Sequence, residues 1–174
     1  MFSAKQILLC DIDYSAWANH CLLEACAALT AEETERDLRL SHSSILATLR
    51  HTFDAERVWL DCVSSTADRG SWRLPQGDAP RPSLDVLAQE WRGLWDGYRR
   101  WLDGASETAL SDELIVQLPD REQRLSRWKI LGHMLEHSQF HRGQVVAMIR
   151  ALDHKPPAIN RMDFYVAGEP VTAR

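Results

Sequence analysis

Apolar side chains recur at steps of three and four along four stretches of the chain, which is the period of an amphipathic helix. In residues 5–29 the stripe is Tyr14, Ala18, Cys21, Leu22, Ala25 and Leu29. A second stretch opens at residues 41–44, where serines offer N-cap hydroxyls, and runs to Ser64 with Leu46, Leu49, Phe53 and Leu60 along one edge. The third follows Ser83, carries Leu84, Leu87, Trp91, Leu94, Tyr98 and Trp101, and meets a natural stop at Gly104. Gly93 and Gly97 weaken this helix and mark close approach of a neighbour. The fourth covers residues 127–152, and Pro156-Pro157 bars its continuation.

The connections differ in character. Residues 30–40 are charged and without apolar period, a link with room for helical turns. Residues 61–81 are rich in Gly, Pro, Ser and Asp and read as a long loop, with Trp72 either packed on the core or serving as a lid over a substrate. Residues 113–118 and 123–126 flank Pro119-Asp120 and are expected to form a small hairpin or a pair of extended segments. The tail, with Ile159, Met162, Phe164, Tyr165 and Val166, is apolar enough to pack across the helices. With no alternation of strands and helices, the pattern predicts an all-α protein, a four-helix bundle formed by a single domain over residues 1–174.

Composition narrows the function classes. At 45% hydrophobic, the 174 residues suffice for one sizeable core. A formal charge of −5 and the absence of a basic run exclude a nucleic-acid partner held through phosphates. No stretch of about eighteen consecutive apolar residues occurs, so no membrane span is expected. The four cysteines, at 10, 21, 26 and 62, have no zinc-ribbon spacing and read as reduced core residues of a cytoplasmic protein.

The chemistry concentrates in the fourth helix. His133, His137 and His141 follow at steps of four, on the same face as Ile130, Met134, Val145, Met148 and Leu152. An imidazole there needs a hydrogen-bond partner or a metal, since an unpaired buried polar group costs about 1–3 kcal/mol. Two histidines at i and i+4 can grip one cation, but His133 and His141 are separated by about 12 Å of helix, too far for one ion to use all three. A third ligand must come from elsewhere. His51 is the candidate, because Ser44, Ala47, Thr48, Ala55 and Val58 surround it with small side chains on the second helix, with Asp54 three residues on.

Thr48-Leu-Arg-His51 followed by Trp59-Leu60, and above all His137-Ser-Gln-Phe-His-Arg-Gly-Gln144, resemble the DinB/YfiT family of metal-dependent enzymes over nearly the whole chain; Asn19 after Trp17-Ala18 and the Asp163-Phe164 tail add to the likeness. The resemblance implies an up-down-down-up four-helix bundle, often a homodimer, whose divalent metal is held by His51, His137 and His141. Three neutral imidazoles leave coordination positions for water or substrate, and suit zinc or nickel, with iron, copper or cobalt as alternatives. The activity implied is a thiol-dependent S-transferase or isomerase acting on a small-molecule substrate with a low-molecular-weight thiol. A metal-dependent hydrolase, or a non-catalytic metal-binding stress-response module, is the alternative. Asp54 or His133 would serve as general base, His133 otherwise being a structural histidine. Arg142 would hold an anionic group or pair with a carboxylate between helices, Gly143 would permit close packing, and Gln144 would support a ligand.

Overall fold

The computed structural model describes residues 3–40, 42–65, 72–73 and 82–167. Four long helices dominate: α1 (Ala4–Ala27), α3 (Ile45–Ser64), α4 (Leu84–Gly104) and α6 (Arg127–Ala151). Short helices α2 (Ala31–Glu35), α5 (Glu107–Ser111) and α7 (Arg161–Ala167) and strands β1 (Trp72–Arg73), β2 (Glu113–Gln117) and β3 (Glu122–Ser126) complete the described chain. The expected hairpin is present as antiparallel β2 and β3, with Leu114 opposite Leu125. It is not alone: β1 pairs parallel to β2, Trp72 opposite Val116, so the fold is mostly helical with a three-stranded sheet rather than purely α. Of the expected loop, residues 61–64 continue α3, 72–73 form β1, and residues 66–71 and 74–81 lie outside the described residues.

The helix boundaries follow local chemistry. Ser3 and Gln6 form a reciprocal capping box at the start of α1, and Thr30 and Glu33 form another on α2, the helical turn in the charged link. Ser44 accepts the Ala47 N–H at the start of α3. At the far end of α3 the buried Arg127 guanidinium donates to the carbonyls of Val63 at 2.9 Å and Ser65 at 2.8 Å, and thereby ties the first residue of α6 to the last turn of α3. Thr48 and Met148 meet at the other end of the pair, so α3 and α6 run antiparallel. The Lys5 ammonium likewise donates to the carbonyl of Asp103 at 2.7 Å, which sets the start of α1 against the end of α4.

Both α1 and α3 pack against α4 and α6, and the core between them is built from fully buried Ile12, Leu22, Ile45, Leu87, Trp91, Ile130, Met134 and Met148. The tail packs as the sequence pattern suggests: α7 buries Phe164 against Tyr14 and Trp17, while Tyr14 donates to the carbonyl of Ile159 at 2.9 Å. Met162, Tyr165 and Val166 stay exposed.

Of the glycines expected to mark close approach, only Gly97 does so. A β-carbon there would lie 2.7 Å from Leu60 Cδ2, whereas Gly93 and Gly143 have nothing within 4 Å. Gly143 therefore does not serve close packing. Gly93→Ala is expected to stabilise the protein by up to about 1 kcal/mol in denaturant unfolding through helix propensity alone, and Gly97→Ala to gain less because Leu60 must move. Equal gains would show that the contact with Leu60 carries no cost.

Candidate metal centre

Antiparallel packing of α3 on α6 sets His51 opposite His137 and His141. The Nε2 atom of His137 lies 3.2 Å from Nε2 of His51 and 3.2 Å from Nε2 of His141. An ion bound tetrahedrally by imidazoles at about 2.0–2.1 Å holds neighbouring nitrogens roughly 3.3 Å apart, so each of these two contacts has the spacing of ligands on a shared cation. The tautomers fit as well. Nδ1 of His141 is 2.8 Å from Gln144 Oε1, an acceptor, which assigns the proton to Nδ1 and leaves a lone pair on Nε2. Nδ1 of His137 is buried with no hydrogen-bond partner among the described residues.

Burial and the neighbouring rings hold His51 and His137 down at about 4, so both imidazoles are neutral at neutral pH. A fourth imidazole, not anticipated from the sequence, joins the group. His42, from the turn ahead of α3, stacks on His51 with ring centroids 3.9 Å apart and lies 5.1 Å from His141. One ring nitrogen from each of His42, His51 and His141 falls within 4.8 Å of the others. A histidine outside a helix has no period to betray it; its only signal was its place one turn before a helix that carries His51.

The other expected site residues are distributed differently. His133 is exposed, 5.9 Å from the His137 ring and edge-on to Trp59 at 5.2 Å. Trp59 in turn stacks on Trp72, whose indole N–H donates to Asp61 at 2.8 Å, so an aromatic row leads away from the histidines along α3 and β1. Phe140, largely exposed, stands against His141 on the other side. Asp54 is turned away. It lies 3.6 Å from Arg57 in a cleft shared with Arg50, Phe53, Pro82 and Glu90, because three residues along a helix leave it about 60° off the direction of His51, toward α4. Arg142 does not face the histidines as an anion holder: it is buried and donates to Ser15 at 2.6 Å and Asn19 at 3.3 Å on α1.

Beneath the histidines lies a carboxylate that helical periodicity did not single out. Glu56 is fully buried and receives hydrogen bonds from Asn19 of α1 at 3.2 Å, from Ser138 of α6 at 2.6 Å, and from the indole of Trp91 of α4. Its own carbonyl accepts the Tyr98 hydroxyl at 2.6 Å. Burial pushes the acid up to about 7, against the pull of Ser138, Trp91, Arg142 and Asn19.

The sequence model of the DinB family matches residues 1–170. Among solved structures, a DinB-like protein from Bacillus cereus ATCC 10987 superposes with a TM-score of 0.61 at 17% identity, over 84% of this chain and 91% of that one. At that identity the likeness concerns the fold. No curated protein sequence matches the chain.

Opposite pH dependences follow from these groups. Glu56 takes up a proton on folding, so its stabilising contribution is complete below its ordinary 4.5 and is lost as pH rises through about 7. For His51 and His137 the contribution is present above the ordinary 6.5 and is lost as pH falls through about 4. In metal-free protein, the melting temperature of Glu56→Gln relative to wild type is therefore expected to climb from about pH 5 to about pH 7. A difference independent of pH would mean that Glu56 is ionised throughout.

Proposed function

Because the chain belongs to the DinB family, we propose that its four long helices form the up-down-down-up bundle and that His51, His137 and His141 hold a divalent ion, zinc or nickel by the nature of the ligands, for a thiol-dependent transfer or isomerisation of a small electrophile. The observation that carries the proposal is the meeting of three Nε2 atoms at 3.2 Å contacts, supplied by two helices whose register is fixed at both ends. An ion bound there would leave positions open and would lower the pKa of a coordinated thiol, so that the sulfur nucleophile exists at neutral pH.

The chain's own residues prepare that chemistry. Gln144 orients His141 and fixes its tautomer. Burial keeps His51 and His137 unprotonated. Trp59 and His133 on one side and Phe140 on the other offer aromatic surface beside the three nitrogens, suited to an apolar electrophile. A thiol is favoured over water as nucleophile by the absence of a base. Among the described residues no carboxylate hydrogen-bonds or pairs with His51, His137 or His141, whereas the helical His-x-x-x-His hydrolases rely on a glutamate to take the proton of water. A thiol held by the ion would have its pKa lowered enough to release its proton to solvent without a carboxylate.

His51→Ala, His137→Ala and His141→Ala are each expected to abolish stoichiometric metal in elemental analysis, and His133→Ala to retain it. The metal-loaded protein is expected to consume an electrophile only when a small thiol is added, and turnover of esters or amides without thiol would replace this reading with hydrolysis. Loss of metal in the His133 variant together with its retention in the His141 variant would overturn the ligand set.

A further inference from the structure

The fourth imidazole has a place in the same centre, and the inference about it rests on the three-histidine reading above. We propose that His42 is a further nitrogen donor to the ion, one that occupies an open coordination position in the resting state and is displaced by the incoming thiol.

The position of the ring carries the proposal. His42, His51 and His141 each bring a ring nitrogen within 4.8 Å of the other two, and His137 lies 3.2 Å from both of the latter. His42 thus adds, from the turn rather than from α3 or α6, a ring nitrogen to the same group. The 4.8 Å bound is wider than the roughly 3.3 Å spacing of bound ligands, so the ring would join the ion by a small movement. Among the described residues its ring makes no hydrogen bond; it stacks on His51 at 3.9 Å with an angle of 21° between the planes and tilts against His141.

The backbone that presents His42 is built for this placement. Leu38 N–H donates to Ser43 O and Ser43 N–H to Leu40 O, both at 2.7 Å, and Ser44 N–H donates to His42 O at 2.7 Å. Arg39 and Ser43 adopt φ of 55° and 59°, the left-handed region, which costs a non-glycine residue about 1–2 kcal/mol. Strain of this kind persists only where the surroundings hold it, and it concentrates where a side chain must be aimed. The other three ligands project from long helices packed in the core, whereas His42 rides on a turn. A turn can withdraw one ring without disturbing the helices, so His42 is the ligand that can leave. The closed state would keep water and stray anions off the ion, and the entering thiol, its proton released to solvent, would take the position as thiolate, a stronger donor to zinc than neutral imidazole.

The test is X-ray absorption at the zinc edge and zinc affinity by chelator competition on the full-length protein, in wild type, His42→Ala and His42→Asn, with His137→Ala as control. The expected wild type binds one zinc with four imidazole nitrogens. Both His42 variants are expected to keep one zinc with three imidazoles and an oxygen, and to bind it about 10-fold or more weakly. Addition of a small thiol to wild type should replace one imidazole by sulfur, leaving the same shell as in thiol-treated His42→Ala. A wild-type shell of three imidazoles and oxygen, or unchanged shell and affinity in both His42 variants, overturns the inference and leaves the three-histidine centre standing. Absence of zinc from wild type, or its undiminished retention in His137→Ala, overturns the centre itself and the inference with it.

Discussion

One buried carboxylate joins all four long helices. Glu56 belongs to α3, accepts from Asn19 of α1, Trp91 of α4 and Ser138 of α6, and adds the Tyr98 hydroxyl through its carbonyl. Apolar side chains can slide past one another at little cost, but a buried acid that loses a partner leaves a group unsatisfied in low dielectric. Glu56 therefore selects one register out of several that hydrophobic packing alone would tolerate. Ser138 follows His137 by one residue, and Glu56 lies five residues beyond His51, so the register that satisfies the acid is the register that brings the ring nitrogens together. Arg127 at one end of the pair and the contact of Thr48 with Met148 at the other hold the same alignment.

Asn19 connects this acid to the next layer. Its amide donates to Glu56 and its carbonyl accepts from Arg142, whose guanidinium also reaches Ser15 and lies over the ring of Tyr14. Arg142 neighbours His141 in sequence, yet it points to α1 while His141 points to α3, since successive residues on a helix diverge by about 100°. One helical segment thus serves two purposes: one face carries the clustered imidazoles and the other anchors the helix in the core. The same division explains why, among the described residues, no carboxylate pairs with the clustered histidines. The three acids of α3 are committed elsewhere, Glu56 inward, Asp54 toward Arg57 and Asp61 to the Trp72 indole, and the centre is left with nitrogen donors and aromatic walls.

Much of this was legible in the sequence. The four long helices followed from period and caps, the β2–β3 hairpin from its turn residues, and the likeness to the DinB family from Thr48–His51 and His137–Gln144. What escaped has physical reasons. Strand β1 is two residues long in a Gly- and Pro-rich stretch, and it exists because β2 offers an edge, which no local pattern reveals. Glu56 sits in an outwardly ordinary charged run, Asp54-Ala-Glu-Arg57, and only its partners on three other helices make it central. His42 is brought to the site by a turn with left-handed residues that are not glycine, so neither period nor composition marked it. Asp54 shared a helical face with His51 in a coarse reading, but a rotation of about 60° was enough to send it to the other neighbour.

The central claim is that His51, His137 and His141 share one ion. A crystal structure of the zinc-loaded protein, with anomalous scattering recorded on both sides of the zinc edge, addresses it most directly. The expected result is a single anomalous peak at about 2.0–2.1 Å from the Nε2 atoms of His51, His137 and His141. A peak bound by other residues, or none at full zinc loading of the crystal, would contradict the account.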